Sequence, residues 1–149
     1  MKRLCIIPCG RKKIWDNDQK AGATEAKDVY IGTFGKACQS YASLFFDDWL
    51  ILSAKHGYLK PSDMIPENYD VAFDSRSSEI ISINELKDFA LKNKLDVYDQ
   101  IVVLGGKKHQ KVVEQIFPRE KLLYPLKGLS GIGYMVQSLQ QAVKRGKEL

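Results

Sequence analysis

RLCIIP, the stretch from Arg3 to Pro8, is a short and almost wholly apolar run that ends at a turn. Runs of this kind are typical of parallel strands covered on both faces of a sheet, because neither face then needs polar side chains. Two further runs have the same form, WLILS at Trp49–Ser53 and QIVVLGG at Gln100–Gly106, and KLLYPL at Lys121–Leu126 is a weaker fourth. The chain is therefore expected to contain four short strands of a parallel sheet.

Helical patterns separate these strands. Apolar residues recur at helical spacing in four segments, and one segment opens with a capping box, Ser82-x-x-Glu85. The segments cover residues 33–46, 82–94, 107–117 and 134–145. Strands that alternate with helices predict an α/β fold with three layers, in which helices flank a mostly parallel sheet of four to five strands. We expect residues 1–149 to form a single domain around one core.

The composition argues against several classes of protein. No apolar run approaches the roughly 20 residues of a membrane span, and the apolar run near the N-terminus is shorter than that of a signal peptide. A cytoplasmic protein without a membrane partner is therefore expected. The cysteines are odd in number, which argues against a disulfide framework. Cys5 and Cys9 have the spacing of half a zinc site, but no second pair completes it, so no metal and no cofactor are predicted.

A turn rich in glycine and lysine follows each predicted strand. Parallel strands end at one edge of a sheet, where the ligands of open α/β proteins bind. Glycine lets backbone N–H groups approach an oxyanion and lysine adds a full charge, so the turns predict a site for a phosphate-bearing ligand, in line with the net charge of +5. The alternative is a set of ordinary surface turns, since none is a strict phosphate motif. The predicted ligand-binding residues are Cys9, Gly10, Lys12, Lys13, Ser53, Lys55, Tyr58, Tyr69, Gly105, Gly106, Lys107 and Gly131.

The segment Lys55–Ser78 is longer than an ordinary connection and carries reactive side chains. His56 titrates near neutral pH, and Glu67 and Asp70 bring carboxylates to a basic edge. The two tyrosines of this segment named above are aromatic surfaces on which a base could stack. We single out His56, Glu67 and Asp70 as candidate catalytic residues. The alternative is that they are solvated loop charges or partners in salt bridges.

Three stretches of the chain have distinctive motifs. They are the Cys-Gly-x-Lys-Lys turn with Trp-Asp at Pro8–Asp16, the Ala-x-Asp-x-Tyr-x-Gly segment at Ala26–Gly32, and the Leu-Ser-Ala-Lys-x-Gly-x-Leu-x-Pro loop at Leu52–Pro61. In these stretches the chain resembles a family of bacterial and phage proteins known as a domain of unknown function. The resemblance covers most of the chain. It implies no established reaction.

The loop at Leu52–Pro61 is also similar to that of the peroxide-stress family YaaA, which implies binding to DNA. More distantly, the order of short strands and basic turns is similar to the uracil-DNA glycosylase-like fold, which implies cleavage of an N-glycosidic bond. We therefore expect a protein that processes a nucleotide or nucleic acid, in the most specific form an N-glycosidic hydrolase acting on a nucleobase. A non-catalytic DNA- or RNA-binding module and a small-nucleotide sensor or sponge stay open as alternatives.

Overall fold

The computed structural model describes all 149 residues, and a five-stranded sheet forms its centre. The strand order is β4-β3-β1-β6-β7, with parallel pairing throughout except for β4, which returns antiparallel to β3. The strands are β1 (Arg3–Pro8), β3 (Asp48–Ser53), β4 (Gly57–Leu59), β6 (Gln100–Val103) and β7 (Leu122–Leu123). A separate small sheet pairs β2 (Thr24–Glu25) with β5 (Met64–Ile65). The predicted α/β class with a mostly parallel sheet is confirmed.

Helices cover both faces of the sheet, as the helical patterns predict. They are α1 (Ile14–Asn17), α2 (Ala26–Val29), α3 (Thr33–Phe45), α4 (Ile83–Lys92), α5 (Lys107–Val113) and α6 (Ile132–Arg145). The start of α4 is capped as its sequence predicts, because the Ser82 hydroxyl oxygen accepts the Glu85 N–H at 3.1 Å. No helix of the protein combines the length and the apolar character that crossing a membrane requires.

The central strand β1 shows why its sequence is apolar throughout. Leu4 and Ile6 point into one hydrophobic core and Cys5 and Ile7 into another, and all four are at most 1% exposed. The core that Cys5 and Ile7 enter holds side chains of α2, α3 and α6, and the core that Leu4 and Ile6 enter holds side chains of α4 and α5. We call them the α3/α6 core and the α4/α5 core. A strand with a covered layer on each side has no position for a polar residue.

All four parallel strands end at the same edge of the sheet. Pro8 of β1 lies beside Leu52 of β3, Ile6 lies beside Val103 of β6, and β7 continues the parallel order. The turns that follow these strands therefore leave from one edge, as predicted. We call it the carboxyl edge.

The structure differs from the sequence expectation in the length of several elements. Strand β7 covers two residues and not Lys121–Leu126, because a 3₁₀ turn at Arg119–Lys121 precedes it. The segment Lys55–Ser78 is not an unstructured loop, since it contributes β4 and β5. Its first turn depends on Gly57, whose φ is +76°, a conformation that residues with a side chain rarely adopt. A Cβ at Gly57 would also lie 2.6 Å from Cδ1 of Ile81.

Candidate functional site

Two adjoining cavities open at the carboxyl edge, with volumes of about 650 and 520 Å³. They share four lining residues, which come from the turn after β1 and from the segment after β5. These shared residues are Arg11, Lys13, Tyr69 and Asp70. We call the two cavities together the edge groove. Its position outside the ends of parallel strands is the usual place for a ligand of an open α/β sheet.

The edge groove carries both positive and negative side chains. Four basic side chains line it, together with the three carboxylates of Asp16, Asp70 and Asp74. Lys108 and Asp74 face one another at 3.8 Å, but no carboxylate lies within 4 Å of the side-chain nitrogens of Arg11 or Lys12. Both of these side chains are exposed. The first cavity therefore offers two unpaired cations to an anionic ligand.

The turn that presents these cations is fixed by local hydrogen bonds. The Lys13 N–H donates to the Asp16 carboxylate at 2.8 Å, and the Asp16 N–H donates to the Lys13 carbonyl at 2.9 Å, so α1 begins immediately after Lys13. The Ile31 N–H donates to the Lys12 carbonyl at 3.1 Å, which joins the turn to the segment after α2. The backbone of the basic run is thus fixed by hydrogen bonds to α1 and to the segment after α2.

A network of buried hydroxyl groups lies beneath the groove. The hydroxyl of Tyr69 is hydrogen-bonded to that of Tyr30, and it lies 2.9 Å from the Ser53 hydroxyl, which in turn accepts the N–H of His56. Burial raises the pKa of Tyr69 to about 12, and burial together with the neighbouring Tyr69 raises the pKa of Tyr30 further. Both tyrosines are therefore neutral hydrogen-bonding groups at physiological pH. Ser53, predicted as a ligand residue, is fully buried within this network.

Residues 4–141 match a family of unknown function, DUF6884. The chain belongs to this family. It is also 47% identical over 151 residues to the uncharacterized protein YfjM of Bacillus subtilis strain 168, with both chains covered completely. The predicted resemblance to a family of unknown function is confirmed. Neither the description of the family nor the name of this relative states an activity.

His56 lies behind Tyr69 and does not line the edge groove. Its ring meets the Tyr69 ring edge-on, with centroids 4.9 Å apart, and its Nε2 atom is buried without a hydrogen-bond partner. Burial lowers the pKa of His56, and the neighbouring Lys55 lowers it further. Lys55 itself pairs with Glu79 at 3.5 Å and lies 5.9 Å from the centre of the Tyr69 ring, again outside the groove. Both His56 and Lys55 therefore lie beside the Tyr69 ring and not in the groove.

Tyr58 does not border the groove, contrary to the expectation for this residue. It lies on β4, is 2% exposed and belongs to the α4/α5 core. Its ring packs against Phe89 and Phe117, with centroid distances of 5.6 and 6.3 Å. The reason is the antiparallel return of β4 along β3, which points the Tyr58 side chain to the face of the sheet opposite Tyr69.

The two candidate carboxylates of the segment after β5 lie in different places. Asp70 is exposed and lines both cavities of the edge groove. Glu67 instead lines a third cavity of about 470 Å³ together with Trp15 and Pro66. Asp16 belongs to this third cavity and to the groove, so the two concavities adjoin. Asp70 is thus the catalytic candidate of the sequence that the structure brings to the groove.

The turn after β6 brings different residues to the groove from those predicted. Gly106 and Lys107 are exposed and do not line it, whereas Lys108 and His109 do. Gly105 is buried against the first turn of α5, so that a Cβ at this position would lie only 3.1 Å from the Cβ of His109. The helical spacing of α5 could have predicted that His109 is buried, since it lies on the same side of the helix as Val112 and Val113.

His109 was not predicted as a site residue, yet its imidazole is buried at the groove. It is 4% exposed, its ring meets that of Phe73 edge-on, and its Nε2 atom has no hydrogen-bond partner. Burial lowers the pKa of His109 to about 4, with Lys108 acting in the same direction and Asp74 opposing it. His109 is therefore neutral at physiological pH.

Arg11 is another lining residue that was not predicted as a site residue. It lies inside the basic run after β1, but only the structure shows that it lines both cavities. Cys9 and Gly10 line the second cavity, as predicted. Burial raises the pKa of Cys9, so the group there is a neutral thiol and not a thiolate nucleophile.

The turn after β7 stays outside the groove. Gly131, the predicted ligand residue of this turn, is exposed, has a φ of +91° and precedes α6. It does not line any of the cavities described above. The site is thus built from the turns after β1 and β6 and from the segment after β5. No three side chains of His, Cys, Asp or Glu come together in a way suited to a metal ion.

Proposed function

We propose that the edge groove binds a phosphate-bearing ligand, a nucleotide or nucleic acid, and that this protein processes it. The observation that carries the proposal is that one cavity at the carboxyl edge contains two exposed cations without a salt-bridge partner, Arg11 and Lys12, and also the exposed carboxylate of Asp70. Arginine matches the geometry of a phosphate group through its planar set of donors. The resemblance of Leu52–Pro61 to the DNA-binding YaaA family supports a nucleic-acid ligand.

The reaction that suits these groups best is hydrolysis of an N-glycosidic bond. When that bond breaks, positive charge develops on the sugar, and a nearby carboxylate stabilises it or orients the attacking water. Asp70 is the candidate for this role because it is exposed to both cavities. The cations beside it would hold the phosphate and so orient the sugar relative to the carboxylate.

Binding is tested by titrating the protein with mononucleotides and with single- and double-stranded oligonucleotides at several salt concentrations. A polymer held by its phosphates loses affinity steeply as salt rises, whereas a mononucleotide raises the melting temperature with a weaker dependence on salt. The double variant Arg11→Ala/Lys12→Ala should lose binding. The matched control is Lys87→Ala, which removes an exposed lysine of α4 on the far side of the sheet. Equal affinity of both variants would refute binding in the edge groove.

Catalysis is tested by screening nucleosides, nucleotides and oligonucleotides with modified bases for release of the base. Asp70→Asn should lower turnover by about 100-fold or more, as expected when a charge-stabilising carboxylate is lost. Its control is Asp88→Asn, an exposed carboxylate of α4. If nucleic acid binds through Arg11 and Lys12 but no base is released, the protein is a binding module. If only a mononucleotide binds without turnover, it is a small-nucleotide sensor.

A further inference from the structure

Lys13 is unlike every other lysine of the chain, because it alone is buried. It is 4% exposed, although it lines both cavities of the edge groove. Its Nζ atom donates to the Arg11 carbonyl at 3.0 Å and lies 4.5 Å from the centre of the Tyr69 ring. No carboxylate lies within 4 Å of it. A lysine ammonium in such a position lacks the counter-charge that buried cations usually have.

The surroundings of this amine favour its neutral form. Burial lowers the pKa of Lys13, whereas Cys9, Asp70 and Asp16 oppose this effect, and Arg11 makes a smaller contribution that lowers the pKa. A lysine that is desolvated beside another cation is the usual setting of an amine nucleophile. The Tyr69 ring, held by Tyr30 and Ser53, fixes the position of the amine from below.

We propose that Lys13 is a nucleophile that forms a Schiff base with the aldehyde of a phosphorylated sugar bound in the edge groove. Two sources share this chemistry, the open-chain form of a free sugar phosphate and an abasic site in a nucleic acid. The inference rests on the proposed function, because the phosphate is held by Arg11 and Lys12, the residues just before Lys13. Removal of a base from DNA leaves such an aldehyde in the same groove.

The step balances without an oxidant or reductant. The lone pair of the Lys13 nitrogen attacks the aldehyde carbon, and the carbonyl electron pair moves to the oxygen, which takes up a proton. The resulting carbinolamine has lost one proton from nitrogen. It then loses the second N–H proton and its hydroxyl group as water, which leaves a C=N bond. The sum is one amine and one aldehyde giving one imine and one water molecule.

The test is reductive trapping with sodium borohydride, which adds hydride to the imine carbon and leaves a stable secondary amine. The probes are an oligonucleotide with one abasic site, ribose 5-phosphate, and an oligonucleotide with a tetrahydrofuran abasic analogue that has no aldehyde. We expect wild-type protein to give a covalent adduct with an aldehyde probe, and peptide mass spectrometry to place it on Lys13. Lys13→Arg should lose the adduct, and Lys87→Arg, the control from α4, should keep it.

The pH dependence separates a reactive amine from a lysine that is merely structural. Trapping at Lys13 should be faster at neutral pH than at the exposed Lys87, because burial favours the neutral amine. It should also rise less steeply towards alkaline pH. Since both readouts come from wild-type protein, they decide the question even where Lys13→Arg does not fold.

The outcomes distinguish this inference from the function on which it rests. If the tetrahydrofuran oligonucleotide binds and Arg11→Ala weakens that binding, but no adduct forms on Lys13, the Schiff-base proposal is wrong and the proposed function stands. If no probe binds and none is trapped, both fail. An adduct spread over exposed lysines also overturns the proposal. Trapping with only one aldehyde probe supports it and identifies the source, a free sugar phosphate or an abasic site.

Discussion

Two buried tyrosines of the segment Lys55–Ser78 have opposite surroundings. Tyr69 has its hydroxyl within a network with Tyr30 and Ser53, a lysine amine over its ring and a groove above it. Tyr58 has its ring between Phe89 and Phe117, and its hydroxyl has no partner at all. They are 8% and 2% exposed, so burial alone does not distinguish them.

The difference lies in the hydroxyl groups and in the face of the sheet that each residue occupies. A buried hydroxyl without a partner costs free energy, whereas a paired one contributes modestly and fixes its neighbours in place. Tyr69 therefore organises the polar floor of the edge groove, and Tyr58 fills the α4/α5 core mainly through its ring. Experiments that treat the two residues alike should give unlike results.

The largest expected effect is on the α4/α5 core. Tyr58→Ala removes a buried ring that contacts two phenylalanines, and we expect the free energy of unfolding to fall by about 3–5 kcal/mol. Urea unfolding followed by circular dichroism measures it. Ligand affinity of the folded fraction should be unchanged, because Tyr58 lies away from the groove. A loss below about 1 kcal/mol would mean that the core closes around the missing ring.

A slightly smaller effect on the free energy of unfolding is expected when the pH is lowered and His109, a buried residue of the groove, becomes protonated. Because burial holds the folded-state pKa near 4, below the usual value of 6.5, the unfolded chain binds more protons in this interval. Stability is fully present above pH 6.5 and falls by about 3 kcal/mol as the pH drops to 4.

The matched variant His109→Asn isolates this contribution. Wild-type protein should lose more stability than the variant between pH 7.5 and pH 4.5, as measured by urea unfolding, while the carboxylates contribute alike in both proteins. Parallel pH profiles of the two proteins would show that His109 is not buried as a neutral imidazole. The charged neighbours of His109, Lys108 and Asp74, are unchanged in both proteins.

Replacing each tyrosine with phenylalanine removes only its hydroxyl group and keeps its ring. Tyr69→Phe leaves the hydroxyls of Tyr30 and Ser53 short of a partner and should cost about 1–3 kcal/mol of unfolding free energy. Tyr58→Phe removes a buried hydroxyl that is unpaired in the structure, so stability should be unchanged or rise by up to about 1 kcal/mol. Thermal unfolding of the two single variants measures both effects. Equal losses would contradict the division of roles between these residues.

The smallest effect on stability is expected at Lys12 and Lys55, which follow β1 and β3. Lys12→Ala and Lys55→Ala should each change the free energy of unfolding by less than about 0.5 kcal/mol, since one side chain is exposed and the other makes a part-exposed ion pair. Their effects on ligand binding should differ. Lys12→Ala weakens binding because it lines the groove, and Lys55→Ala does not. Titration of both variants with an oligonucleotide measures these effects, and a loss of affinity in Lys55→Ala would show that Lys55 contributes to binding.

The sheet and its helices could be predicted because each depends on a local pattern. Continuous apolar runs identified β1, β3 and β6, and helical spacing identified α3 to α6. The two-residue strands β2 and β5 were missed because their pairing depends on contacts distant in sequence, which no local pattern encodes. Strand β4 was missed for a different reason, since its return along β3 depends on a local turn with a positive φ at Gly57.

The candidate site could be predicted only as a region. The turns after β1 and β6 were expected at one edge, and the structure places them there. Which side chains of these turns reach the groove depends on phase, and one residue of error exchanges Lys107 for Lys108. The roles of Tyr58 and Tyr69 could not be separated in advance, because the face that each occupies follows from strand pairing and not from residue type.

Because β1 lies between β3 and β6 in the sheet, it is synthesised well before its second neighbour. Its Cys5 pairs with Trp49 on one side and with Val102 on the other. Ribosomal synthesis separates the first and last of these residues by on the order of 5–20 s. During that interval the strand has at most one of its two neighbours, and its apolar edge is open to other chains. Nascent chains of this protein should therefore depend on chaperones until β6 has emerged.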